Sequence, residues 1–281
     1  TLLALWPLYA GTRRLAGPVA AAAACLLFAG HNGLLLQAVA CRGYALAGLW
    51  ACLLFWRWTY VWDTDSTRRW LGFGLLTGLG VWTHYLAVLA PGVLGVTMLW
   101  REGWRQPWRA LALALVAFGL AAWPIWWTRP LTGSNPIGWA EPPDLRMVIG
   151  NLWLLLGVET PLEKQVTLAL LVPVLAWLLP RAGAARLWTT AAWRTPGVGL
   201  ALGIVLVFIA MLVESLLWQP LMVPRFFTPV MPLVCCVLGI GLAQLPTALR
   251  TGILLAVLTA TAWGQWQQYR LPVPARYVWR P

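Results

Sequence analysis

The stretch HNGLLLQAVACRGY, residues 31–44, joins two long apolar runs, Pro18–Ala40 and Ala45–Tyr60. An arginine set between two runs of membrane length is costly unless it meets an anion, a lipid headgroup or water. Arg42 and Tyr44 are therefore the first functional candidates. The competing reading is a membrane-interface anchor, because Arg and Tyr both snorkel there.

The rest of the chain repeats the pattern of that stretch. Of 281 residues, 60% are hydrophobic and 10% are charged, against about 25% charged in soluble domains. Mean hydropathy is +0.73. The sequence thus predicts an all-α, polytopic transmembrane helical bundle with about nine or ten hydrophobic segments. It reads as a single transmembrane domain over 1–281. The net charge of +12 does not point to nucleic acid, since the arginines sit in short loops between apolar runs and no basic tract carries interleaved aromatics. The expected surroundings are membrane lipids. The 22 tryptophans lie mostly near the ends of apolar runs, as aromatic belts do. Arginine far outnumbers the single lysine, as in a GC-rich bacterial genome, so the expected location is a bacterial inner membrane. Cys25, Cys52, Cys235 and Cys236 lie within apolar runs and read as small hydrophobes, and no spacing resembles a zinc site. The first residue, Thr1, falls inside an apolar run, so the expectation is a chain that starts part-way through a longer protein.

Arginine count assigns the sides. Loops 11–17 (GTRRLAG), 63–69, 101–109, 181–196 and 246–250 are the basic ones and read as cytoplasmic. The run Trp70–Trp100 has basic loops at both ends. As one helix it would be about 46 Å long. It therefore reads as two short helices turning near Thr83-His84-Tyr85, with His84 on the outer side. Segment 128–146 is dense in Pro and Gly. Met147–Leu156 is apolar but short, and reads as an interfacial or re-entrant helix. Together with 157–164 it completes an outer loop, 128–164. Later spans are read at 165–180, 197–214, 228–245 and 251–267. The third of these follows a proline-dense break at 214–229.

The outer side then collects Arg42, Tyr44, His84, Tyr85, Arg129, Glu141, Asp144, Glu159, Glu163, Lys164 and Arg225. A guanidinium at hydrocarbon depth suits a phosphate, because it offers a planar bidentate fork. The carboxylates offer a general base or a place for a divalent cation. Plainer readings stand beside these. Glu159, Glu163 and Lys164 form a solvated helix start, Glu141 and Asp144 are solvated among prolines, His84-Tyr85 is an aromatic-belt pair, and Arg225 is an anchor.

GTRRLAG, then HNGLLLQAVACRGYAL, THYLAV and PRFFTPVMPLV resemble the polyprenyl-phosphate-sugar glycosyltransferases of the glycosyltransferase-C fold. The nearest branch is that of the bacterial protein mannosyltransferases and lipid A aminoarabinose transferases. The family's Ser-x-Glu-Ala-Arg-x-Tyr segment falls on Ala38, Ala40, Cys41, Arg42 and Tyr44. Its Thr-His-Tyr falls on Thr83, His84 and Tyr85, and its Arg-Tyr-x-x-Pro on Arg225, Phe226 and Pro229. Ala40 stands where the family is acidic. The resemblance implies an inverting transfer from a polyprenyl-phosphate-linked sugar to a protein, lipid or glycan acceptor. It implies lipid-phosphate binding by Arg42, Tyr44, His84, Tyr85 and Arg225, with Glu141 and Asp144 on the acceptor side. The catalytic Asp is expected upstream of Thr1. The alternatives are a transporter or flippase of a lipid-linked precursor, using the same cationic groove without chemistry, and a catalytically inactive fragment.

Overall fold

A computed structural model describes residues 2–31, 34–35, 43–63, 66–102, 119, 143–158, 160–169, 195–217 and 222–270. These residues form helices, with no strand among them. In chain order the helices are α1 (Leu2–Ala29), α2 (Gly43–Asp63), α3 (Thr67–Thr83), α4 (Leu89–Glu102), α5 (Leu145–Leu155), α6 (161–169), α7 (Pro196–Leu217), α8 (Met231–Ala243) and α9 (Thr247–Arg270). Two 3₁₀ turns, Tyr85–Val88 and Pro224–Phe227, precede α4 and α8.

Among the described residues, three helices are long and apolar enough to cross a membrane: Leu2–Ala29, Pro196–Leu217 and Thr247–Gln267. The first is broken. Gly17 has φ 86, a conformation that favours glycine, and Pro18 restarts the helix with its fixed φ. The Cys25 thiol donates to the Leu5 carbonyl at 3.5 Å, so limbs 2–16 and 18–29 fold back on each other. This corrects the expected loop over 11–17. Arg13 and Arg14 are helical, and the turn is confined to Gly17.

The expected break near Thr83-His84-Tyr85 is present. Helix α3 ends at Thr83, His84 is extended, and the chain re-enters helix through the 3₁₀ turn. The short helix expected at Met147–Leu156 is α5. The proline-dense segment yields α7, running on to Leu217, then the Pro224–Phe227 turn and α8. Of the expected span at 165–180, only residues up to 169 are described, and those are helical.

Small residues set the packing. In Gly199-x-x-x-Gly203 of α7, a Cβ on Gly203 would stand 2.5 Å from the Val93 carbonyl oxygen of α4. A Cβ on Gly239 of α8 would stand 2.6 Å from the Ala20 carbonyl. Backbones approach this closely where dispersion, not water exclusion, drives helix association. Trp58, Phe55, Phe28, Leu8 and Met231 fill the core. Apolar side chains also point outward: only 22% of the most apolar window of α7 is buried, and Val205, Ile209 and Val213 are exposed. A soluble surface hides such a face, whereas hydrocarbon accepts it.

Candidate functional site

Helix α2 relates the two ends of the bundle. Tyr44 lies in its first turn and Tyr60 near its last, so about 24 Å separates them at 1.5 Å per residue. Around Tyr44, three sequence-remote segments meet. Antiparallel α2 and α3 bring Gly43 under the Thr83 carbonyl, where a Cβ would sit 3.2 Å from the oxygen. The Tyr44 and His84 rings then lie 4.4 Å apart, centroid to centroid, at 44°. Tyr44 is buried and His84 half-buried.

The backbone N–H of Leu86 donates to His84 Nδ1 at 3.2 Å. In the neutral ring the proton therefore sits on Nε2. The His84 pKa is lowered, first by burial and then by the positive charge of Arg225. That second cause brings Arg225 within electrostatic reach. Its position follows from the 3₁₀ turn Pro224–Phe227, where Thr228 Oγ1 donates to the Arg225 carbonyl at 2.6 Å. Thr228 is fully buried, and its methyl lies 3.8 Å from the Cβ position of Gly48, one turn beyond Tyr44. Gly43 is the first described residue of helix α2, so the positive end of its dipole lies towards this region. A guanidinium, a helix N-terminus and a neutral His donor together favour an anion.

Of the residues expected at the site, the structure places Tyr44 against His84, with Arg225 near enough for its charge to act on the imidazole. Arg42, Glu141 and the side chain of Tyr85 lie outside the described residues, as do Arg129 and Glu159. Asp144 is the N-cap of α5 and accepts from the Met147 N–H at 2.6 Å. Glu163 departs from its expected solvated state and is 3% exposed. The physical reason is a capping box. The Thr160 N–H donates to Glu163 Oε2 at 2.8 Å, the Glu163 N–H donates to Thr160 Oγ1 at 3.2 Å, and Pro161 opens α6. The box packs against Gly264 of α9, whose missing side chain makes the room. Among the described residues, no group of three or more His, Cys, Asp or Glu is close enough to hold a metal ion.

Asn151 and His31 are among the buried polar residues that had no role in the sequence reading. Asn151, in α5, is 1% exposed and donates through Nδ2 to the Met222 carbonyl at 2.8 Å. His31, just after α1, is 3% exposed and shares a 3.3 Å hydrogen bond with the Leu155 carbonyl, which only the protonated Nε2 can make. The available signal was a polar side chain in an apolar run, which membrane segments rarely carry without a partner.

No family model, curated protein or solved structure matches this chain.

Proposed function

We propose that the end of the bundle carrying Tyr44, His84 and Arg225 binds the phosphate of a polyprenyl-phosphate-linked sugar. In this reading the protein is a membrane glycosyltransferase that passes the sugar to an acceptor hydroxyl at the outer face of a bacterial inner membrane. One observation supports it: the Tyr44 and His84 rings pack together at the N-terminal end of α2, with the Arg225 charge near enough to act on the imidazole. The sequence resemblance supplies the reaction class. The geometry supports the anion preference.

The chemistry then divides as follows. The acceptor oxygen attacks the anomeric carbon, the carbon–oxygen bond to the phosphate breaks, and the electron pair stays on the phosphate. Charge grows on the leaving phosphate in the transition state, so donors fixed around it lower the barrier. Arg225 provides a fixed positive charge and a forked donor set. His84 Nε2–H is a neutral donor whose tautomer the Leu86 amide holds in place. Tyr44 packs against the imidazole and keeps its plane. Arg42 joins this set by sequence position. The acceptor is a protein, lipid or glycan hydroxyl, and its proton passes to a base.

The test uses the protein in lipid nanodiscs with a synthetic polyprenyl-phosphate sugar. Arg225→Ala is expected to weaken binding roughly tenfold to a hundredfold, since hydrogen bonds to charged groups are worth about 1.5–3 kcal/mol. Unchanged affinity would overturn the reading. Release of free polyprenyl phosphate separates transfer from carriage, which leaves the lipid-linked sugar intact.

A further inference from the structure

Helix α5 is tied to the bundle by two buried polar bonds that lead to opposite halves of the site. Towards its C-terminal end, the Leu155 carbonyl receives Nε2–H of His31. Gly157, with φ +78, closes the helix directly against the imidazole, where a Cβ would come 3.2 Å from the ring. His31 begins the short segment that holds Leu34, whose side chain reaches within 3.7 Å of the Cβ position of Gly48, one turn from Tyr44. One helical turn earlier, Asn151 donates to the Met222 carbonyl, three residues before Arg225. The Pro224–Phe227 turn packs on α5 as well. The segment carrying Arg225 returns to the same Gly48 through Thr228.

We propose that α5 is a brace that sets the spacing between the Tyr44–His84 half and the Arg225 half of the site, with His31 and Asn151 as its positioning residues. Neither is placed on the ligand. Asn and His are expensive this deep in an apolar protein, and burying them is reasonable only where a bond is made. Both bonds go to backbone carbonyls of non-helical or helix-terminal segments, which have no ladder partner of their own. A site assembled from three remote segments needs its spacing fixed by something other than chain continuity, because misplacement by about 1 Å weakens a preorganised site. The brace rests on the proposed lipid-phosphate reading only for the identity of the ligand.

The test therefore has one readout with ligand and one without. Amide hydrogen exchange is followed in wild type, His31→Leu, Asn151→Leu and the double variant, in nanodiscs without substrate. A brace predicts crossed effects. His31→Leu speeds exchange at 222–230 as well as at 31–35, and Asn151→Leu speeds exchange at 31–35 as well as at 222–230. Effects confined to each residue's own partner segment would overturn the proposal. Affinity for a synthetic polyprenyl-phosphate sugar is expected to fall about tenfold in each single variant, with the double variant no worse than the weaker single. Independent contributions would multiply to about a hundredfold and would also overturn it. His31→Gln keeps an N–H donor near the Nε2 position and is expected to rescue both readouts. Looseness equal to that of His31→Leu counts against the brace. If wild type fails to bind the lipid, the functional reading falls, while the crossed exchange still decides the brace.

Discussion

The two ends of α2 carry similar residues in opposite electrostatic settings. At the C-terminal end, Arg14 donates through Nε to the Thr59 carbonyl at 3.3 Å and stacks 4.2 Å over the Tyr60 ring. Arg69 donates through Nη1 to the Tyr60 carbonyl at 2.9 Å. These carbonyls belong to the last turns of the helix, its negative pole, so the cations complete the fold there. At the other end, Tyr44 and His84 pack together beside the first described turn of the same helix, and the Arg225 charge is near enough to act on His84. The Arg225 cation does not satisfy a positive pole; the two together favour a negative charge between them. Arginine by itself is therefore uninformative in this chain. The pole of the helix it meets decides whether it stabilises structure or invites a ligand.

The largest test breaks both ends together. Gly203→Leu forces a side chain into the Val93 backbone at a position that admits no Cβ. It is expected to cost upwards of about 3 kcal/mol, because neighbouring backbone cannot yield as a flexible side chain can. Thermal unfolding in detergent measures it, and a cost under about 1 kcal/mol would mean that α4 and α7 are not joined this way.

A crossed pair sharpens the contrast between the poles. Arg225→Ala should abolish most phosphate affinity while changing the melting temperature little. Arg14→Ala should do the reverse, costing about 1 kcal/mol of stability through the lost carbonyl bond and ring contact. Equal effects of both variants on affinity would erase the distinction.

The sequence made some of this legible and hid the rest for physical reasons. The turn at His84 followed from length and from basic loops on both sides of one apolar run. Helix α5 was visible because its run is too short to span and too apolar to be a loop. Loop 11–17 was misread because a helix tolerates Arg13 and Arg14 as well as a loop does, and the break needs only Gly17 and Pro18. Glu163 was misread for a related reason. A Thr-x-x-Glu box is local and recognisable, but its burial depends on Gly264, about a hundred residues away. Asn151 and His31 depend on carbonyl partners 71 and 124 residues distant, which no local pattern encodes. Tyr44, His84 and Arg225 were legible as interface residues. Their convergence was not, because it rests on helix pairing.

The smallest expected effect probes the electrostatics of the ligand end most directly. His84 titrates below its ordinary range because burial and the neighbouring Arg225 charge both disfavour the imidazolium. It is therefore neutral at pH 7. A bound phosphodiester would place a negative charge beside the ring and favour its protonation, so binding would take up a proton. Affinity should rise as pH falls from 7.5 to 5.5, by less than about tenfold, and the rise should vanish in His84→Phe. The donor lipid must be the sugar-bearing diester, whose own charge is constant over that range, so the slope reports the protein alone. A flat profile in wild type would move the anion away from His84 and leave Arg225 as the only one of the three near it. A falling profile would mean that binding disfavours the imidazolium, so the phosphate is not beside His84.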